Sequence, residues 1–289
     1  MRPPLQSSST ATVRRISRRL STRPQSSSSS HSESFARART GHYVLPEPRH
    51  ENVFLGDLFA QRCLQRLLPA QVYADSVRPE LARFAARAGA ELWQLGRECE
   101  LNPPTLRRTD AWGRRVDEIA TCDAWKRQKA VAAEEGLVAI AYERPLGEHS
   151  RVLQAMKLAI YGPVSGLYSC PLAMTDAAAS TIEVNGLAEA LPEAMERLTS
   201  RDPARFWTSG QWMTEKGGGS DVATGTETVA VPSGGGDAHY RLYGYKWFSS
   251  ATDSDMALTL ARVAGDGCRA AGFGKGPSMF FVRTRVAIQ

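Results

Sequence analysis

The stretch of this 289-residue chain richest in chemistry is Met213-Thr214-Glu215-Lys216-Gly217-Gly218-Gly219-Ser220-Asp221. Three successive glycines let a backbone turn sharply and approach a phosphate, with peptide N–H groups presented to its oxygens and no Cβ in between. Thr214 and Ser220 add hydroxyl donors at either end. About thirty residues on, Tyr245-Lys246-Trp247-Phe248-Ser249-Ser250 sets an aromatic residue two places before a serine. That suits a ring wall beside a hydrogen-bonding edge. Each feature also has a plainer reading when taken singly. The glycines are those of an ordinary turn entering a strand, Phe248 is a core aromatic on an alternating strand, and Lys216 is a solvated loop charge.

The elements that must position these residues change character along the chain. From about Asn52 to Ser200 the apolar period is helical. Leu81, Phe84, Ala85, Ala88 and Leu92 recur at three- and four-residue steps after Pro79, a residue suited to a first helical turn. Trp125 with Leu137, Val138 and Ala141 marks another helical region. Val152, Met156 and Ile160 mark a third, broken near Pro163. Helices are also expected over 172–183 and 187–198. After Pro203 short β-rich runs follow, at 206–213, 223–231, 240–248, 256–263 and 279–286, with the turn Pro232-Ser233-Gly234-Gly235-Gly236-Asp237 between the second and third. The chain stops at Gln289 directly after a strand, which leaves an unfinished sheet edge.

The two site motifs together resemble those of the acyl-CoA dehydrogenase family, whose flavin site joins a V-T-E-P-G-A-G-S-D type segment to a K-M-W-I-T type segment. Lys216 and Phe248 depart from the usual proline and tryptophan. With Asn102-Pro103-Pro104 leading into Asp110-Ala111-Trp112-Gly113-Arg114-Arg115-Val116-Asp117, these departures resemble the alkylation-response, AidB-like branch, over roughly residues 50 to 289. The resemblance implies an α+β chain: an all-α N-terminal helical domain over 41–205, then a partial antiparallel β-barrel-like middle domain over 206–289. It implies FAD held by Gln211, Trp212, Met213, Thr214, Gly218, Gly219, Ser220, Phe248, Ser249 and Ser250. Thr214 would donate to the edge of the flavin ring that gains charge on reduction, Ser250 would face N5, Phe248 would cover one face of the ring, and Ser220 would meet the pyrophosphate or a thioester ligand.

The implied chemistry is desaturation of an acyl-CoA thioester. The family's catalytic glutamate lies in a C-terminal helical bundle that also supplies adenosine contacts and most of a homo-oligomer interface. No position in this sequence matches that glutamate, so no catalytic residue is assigned and the chain is expected to be a fragment. The alternatives are a flavoprotein of alkylation-damage response and a remnant that binds flavin poorly.

Composition narrows the field further. Eight of the 36 basic residues but one of the 30 acids fall in residues 1–40, which leaves 28 basic against 29 acidic side chains for the rest. The near-neutral body gives no electrostatic support for nucleic acid. The leader, with twelve serines and Val13, Ile16 and Leu20 opposed by Arg14, Arg15, Arg18 and Arg19, reads as a mitochondrial transit peptide or as a disordered basic tail, and a matrix location follows from the first reading. No stretch is long and apolar enough for a membrane span. Five scattered cysteines suggest reduced thiols, and five scattered histidines give no metal-ligand spacing. Gly272-Phe273-Gly274-Lys275-Gly276-Pro277-Ser278 lacks the spacing of a phosphate loop and reads as a hairpin loop. No G-x-G-x-x-G stands in a strand-turn-helix setting, so a Rossmann fold has no support.

Overall fold

The structure, a computed structural model, describes Leu45 and residues 52–233, 239–265 and 276–284. Contacts divide the chain after Pro48, and the elements below all belong to the second unit, Arg49–Gln289. The basic leader lies outside the described residues, as do Cys268, Gly234 to Asp237 of the expected turn, and residues 272–275 of the glycine-lysine cluster.

Among the described residues, seven helices of seven residues or more carry the N-terminal part: α1 (Leu58–Leu67), α2 (Arg78–Arg87), α3 (Trp93–Leu101), α4 (Asp123–Glu134), α5 (Ser150–Tyr161), α6 (Ser169–Val184) and α7 (Pro192–Leu198), with shorter turns before and between them. Pro79 sits in the first turn of α2, and Leu81, Phe84, Ala85, Ala88 and Leu92 are all buried, as their spacing predicts. Wider π-helical turns at Tyr73–Val77 and Ala88–Leu92 flank α2. The helix expected over 187–198 is shorter, because Pro192 lacks an amide hydrogen and begins α7 as a new first turn. The broken helix near Pro163 is α5, followed by a 3-10 turn at Gly162–Val164.

The helical period hides one feature. On α5 the buried stripe runs through Leu153, Lys157 and Ile160, and the Lys157 side chain is only 1% exposed. Its ammonium donates to Glu135 Oε2 at 2.9 Å, to the Glu135 carbonyl at 2.8 Å and to Glu80 Oε1 at 2.6 Å, and it stands 4.7 Å from the centre of the Phe84 ring. Arg87 reaches Glu135 Oε1 at 2.6 Å and Arg83 reaches the same oxygen at 3.1 Å. Burial alone would raise the Glu135 carboxyl, but Arg83, Lys157 and Arg87 overcome it and hold the group at about 2. The charges persist in the core because each is met by an opposite one.

A two-stranded excursion interrupts the helices where none was expected. β1 (Thr105–Thr109) and β2 (Arg115–Ala120) form an exposed antiparallel hairpin, pairing Leu106 with Ile119 and Arg107 with Glu118. The register slips beyond Arg107, where Asp117 takes a left-handed φ of 47° and makes a bulge.

The C-terminal part is a mixed sheet of β3 (Ser209–Trp212), β4 (Val229–Pro232), β5 (Tyr240–Tyr243), β6 (Met256–Val263) and β7 (Ser278–Arg283). β4–β5 and β6–β7 are antiparallel, whereas β3 and β4 each pair in parallel with β6. Only strands joined by tight turns are obliged to run antiparallel, and long connections separate β3 and β4 from β6. The α+β organisation is as the sequence implies, with the wholly antiparallel pairing replaced by a mixed one. Two further departures concern the site. A helical turn at Val222–Gly225 delays β4 to Val229, and β5 stops at Tyr243, so Lys246–Ser250 lies off the sheet.

One core surrounds Phe84, Leu92, Val131, Leu137, Tyr161 and Leu172; a second joins Ala178, Ile182 and Leu198 to Trp207, Met256 and Leu258. Helix α6 contributes to both. Each fully buried side chain of this size contributes about 1.5–3 kcal/mol, so α6 fixes the sheet firmly to the helices.

Candidate functional site: a two-segment cradle beside an apolar cleft

The residues singled out by the sequence come together through three links between the two motifs. The Trp247 amide donates to the Thr214 carbonyl at 2.9 Å, and the Trp212 indole N–H donates to the Ser250 carbonyl at 2.9 Å. The third is a salt bridge between Lys246 Nζ and Glu215 Oε1, the lysine also donating to the Leu260 carbonyl of β6 at 2.8 Å. Glu215 is 5% exposed and accepts further hydrogen bonds from the Thr228 amide at 3.1 Å, the Glu227 amide at 2.6 Å and the Thr228 hydroxyl. Burial would raise its carboxyl, but Lys246, Thr228 and the two amides together hold it below the ordinary glutamate range. Sequence reasoning did not single out Glu215 or Lys246 as a pair, although they are what holds the cradle closed.

The glycine triplet divides its labour. Glu215 and Gly218 exchange two backbone hydrogen bonds of 3.1 Å, so the Gly218 amide is engaged inside the turn and is not presented outward. A Cβ on Gly218 would lie 2.7 Å from the Gly225 Cα, so this position must be glycine for backbone to meet backbone. Gly219 has nothing within 4 Å of a built Cβ, and Ser220 beside it is exposed. The following turn, Val222–Gly225, is tied to β6 by the Arg262 guanidinium, which donates to the carbonyls of Thr226 at 2.8 Å and Ala223 at 2.6 Å.

Phe248 is neither on a strand nor in the core. It is 79% exposed, has a left-handed φ of 55°, and meets Trp247 edge to face with ring centres 5.6 Å apart. That backbone conformation is unfavourable for a bulky side chain, and such strain persists only where the surroundings impose it. The Trp247 and Ser250 backbone bonds to the first motif supply the constraint. Tyr243 and Tyr245, nearby in sequence, are also exposed.

Hydroxyl groups around the cradle fall into two sets. Those of Thr224, Thr226, Thr228, Ser254 and Thr259 are spent on Asp221, the Val222 carbonyl, Glu215, the Met256 carbonyl and the Trp212 carbonyl respectively. Those of Thr214, Ser220, Ser249 and Ser250 have no hydrogen-bond partner among the described residues. Gln211 is exposed at the margin, while Met213 packs against the second core and anchors the segment.

Beyond Ser250 the chain forms one wall of a cleft of about 620 Å³. The facing walls come from Asn102, Pro103 and Pro104 after α3, Ile119 and Thr121 at the foot of the hairpin, Cys122 just before α4 and Trp125 within it, and Leu167 and Pro171. The volume and apolar lining suit a small organic ligand or an acyl chain. Helix α4 holds the two walls together. Trp125 Nε1 donates to Asp253 Oδ2 at 2.7 Å, and one turn later Lys129 Nζ meets Asp255 Oδ2 at 2.7 Å; the same carboxylate accepts the Thr208 amide at 2.8 Å. Trp125 also packs edge to face on Tyr168 with centres 4.6 Å apart. Among the described residues no cluster of His, Cys, Asp or Glu could hold a metal ion, and no helix is long and apolar enough to cross a membrane.

A helical part followed by a small mixed sheet, packed on one another through α6, is the architecture of acyl-CoA dehydrogenase structures. The comparisons agree. The AidB adaptive response protein N-terminal domain matches residues 46–202, and the acyl-CoA dehydrogenase middle domain matches residues 210–287. The chain belongs to the acyl-CoA dehydrogenase family, in its AidB branch. It is 44% identical over 255 residues to acyl-CoA dehydrogenase family member 11 of Caenorhabditis elegans, a match covering 87% of this chain and 41% of that one. It is 33% identical over 199 residues to the putative acyl-CoA dehydrogenase AidB of Escherichia coli strain K12, covering 64% of this chain and 35% of that one. Among solved structures, C. elegans ACDH-11 in complex with C11-CoA matches with a TM-score of 0.80 at 42% identity, over 89% of this chain and 44% of that one. The apo form of Bd2924 matches with a TM-score of 0.77 at 44% identity, over 84% and 48% respectively. The chain thus spans less than half the length of these relatives.

Proposed function

We propose that this chain forms the FAD cradle and part of the acyl pocket of an oxidoreductase acting on the CH–CH bond of acyl-CoA thioesters. The observation that carries the reading is that the hydroxyls of Thr214, Ser220, Ser249 and Ser250, on two segments tied together beside an apolar cleft, have no partner among the described residues, whereas those of Thr226, Thr228 and Thr259 are engaged. These residues fit a flavin. Thr214 and Ser250 offer donors to the edge of a ring, Phe248 or Trp247 offers an aromatic wall, and Gly219 and Ser220 offer an unobstructed backbone and a hydroxyl to a pyrophosphate.

Bound there, FAD would supply the two-electron acceptor of the desaturation. This chain's own contribution is to bind and orient: donors fixed by the Glu215–Lys246 link do not have to reorganise as charge develops on the ring edge. Pro103, Pro104, Ile119, Trp125 and Leu167 would keep water from an acyl chain. A C11-CoA complex is known for one relative, which favours a fatty acyl ligand over a polar one. No residue here matches the family's base, and proton abstraction is assigned to none of them. We assign the complete protein to a homo-oligomer, and its basic leader to import into the mitochondrial matrix.

Equilibrium titration of the purified chain with FAD, followed by quenching of flavin fluorescence, tests the assignment. Saturable binding is expected, weakened about ten-fold or more in Ser220→Ala, since a hydrogen bond to a charged group is worth about 1.5–3 kcal/mol. Absence of saturable binding both in this chain and in one completed with its natural downstream sequence would overturn the reading.

A further inference from the structure

The β1–β2 hairpin belongs to neither core, yet its tip is firmly built. Asp110 Oδ1 accepts the amides of Trp112 and Arg114 at 2.9 Å each, and the Asp110 amide donates to the Arg114 carbonyl at 2.9 Å. Gly113, with a φ of 81°, completes a turn that leaves Trp112 84% exposed. Along the strands Leu106 pairs with Ile119, and alternation puts Arg108 on the same side. That side runs on into the cleft, because Ile119 belongs to the cleft wall, while Leu106 and Val116 stay exposed. The hairpin carries four arginines against three acids. Asp110 is spent on amides, Glu118 on Arg107 and Asp117 on Arg115, so the guanidinium groups of Arg108 and Arg114 have no ion pair or hydrogen bond among the described residues.

We propose that this hairpin docks the protein on a membrane surface that bears anionic lipid, with Trp112 at the headgroup level, Leu106 and Val116 against the acyl boundary, and Arg108 and Arg114 on lipid phosphates. The combination of side chains selects the partner. Tryptophan suits the water–lipid boundary through its amphipathic ring, and arginine through a charged head on an apolar stem. Two unpaired guanidinium groups complement the negative surface potential of such a bilayer.

Other partners fit less well. A nucleic acid would use the two cations and stack on Trp112, but it would give Leu106 and Val116 nothing to be buried against. For a second copy of the chain the apolar patch is too small: one tryptophan of about 150–250 Å² and two aliphatic side chains fall well short of the about 800 Å² per partner that a standard protein interface buries. A bilayer asks for no such matched area, since binding there grows with whatever apolar surface is inserted plus the charge attraction. The attachment is peripheral and does not depend on flavin binding. Its consequence is that the cleft, whose wall includes Ile119 and Thr121 at the hairpin's foot, stands close to the place where acyl compounds concentrate.

The test is co-sedimentation and hydrogen–deuterium exchange of the full chain with vesicles of equal parts phosphatidylcholine and phosphatidylserine. Arg14, Arg15, Arg18 and Arg19 are replaced by glutamine in every sample, so that the leader's own attraction for anions does not mask the hairpin's. The expected result is saturable co-sedimentation, slower exchange over residues 105–120, and weaker binding to phosphatidylcholine alone. The double variant Arg108→Gln, Arg114→Gln should lower the partition about ten-fold or more, since each arginine near an anionic surface is worth several-fold. Trp112→Ser should lower it on both kinds of vesicle. Both variants should keep the parent's thermal midpoint, because the hairpin contributes to neither core. Equal co-sedimentation of parent and variants, or unchanged exchange over 105–120, would overturn the proposal. So would protection of that segment by an oligonucleotide, or by raising the protein concentration without lipid, when vesicles give none.

Discussion

Among single residues, Glu215 organises the cradle although it is not placed to touch a ligand. Replacing it with glutamine keeps the shape but removes the charge that Lys246 faces, leaving a mostly buried ammonium without its carboxylate. A loss of about 3–5 kcal/mol is expected for breaking such a pair by one partner, seen as a lower denaturant midpoint together with weaker FAD retention. Thr214→Val is expected to act differently, leaving stability nearly unchanged while making the bound flavin roughly 30–60 mV harder to reduce, from the loss of one donor to a charged ring edge; spectroelectrochemistry of the completed, FAD-loaded protein checks it. Gly218→Ala should disturb the turn itself, because its methyl would meet the Gly225 backbone. Thr214 and Ser220 stand out in the sequence as hydroxyls flanking a glycine run, and the structure leaves both hydroxyls without a partner among the described residues. Glu215 does not stand out, since an acid in a loop is ordinarily solvated and its partners, 13 and 31 residues away, are brought to it only by the fold.

At the scale of elements, the helices were the readable part. The stripe from Leu81 to Leu92 has a period that only a helix can bury on one side, and the structure buries all of it. The sheet was readable in number but not in pairing, because alternation reports which face is inward and nothing about which neighbour runs parallel. The hairpin of β1 and β2 escaped notice for a related reason: both of its faces are largely exposed, so its composition carries no alternation. Lys157 escaped because a lysine on a helix is read as solvated.

Its burial makes two outcomes measurable. Lys157→Met, which fills the space but leaves Glu135 with the two arginines alone, should cost about 3–5 kcal/mol at neutral pH. The Glu135 carboxyl sits near 2 in the fold against 4.5 when unperturbed, so its contribution is complete above about pH 4.5 and drains away as pH falls toward 2. In Glu135→Gln the decline of stability across that window should therefore be shallower than in the parent, as read from urea midpoints at successive pH values.

For the molecule as a whole, charge is unevenly divided along the sequence. The body is near neutral and folded around two cores, whereas the basic excess sits in residues 1–40. A fluorescent protein fused behind residues 1–40 should co-localise with a mitochondrial marker, and replacing Arg14, Arg15, Arg18 and Arg19 with glutamine should leave it diffuse. Within the body, Trp125 and Lys129 project from α4 one turn apart and grip Asp253 and Asp255 of the other wall. The loop that carries Ser250 therefore travels with that helix as one mechanical part, like a jaw bolted to its handle at two points. Sequence exchange between relatives must respect the bolts: a chimera that takes its sheet from one protein and its helices from another will close its cleft in register only when α4 and residues 250–255 come from the same parent.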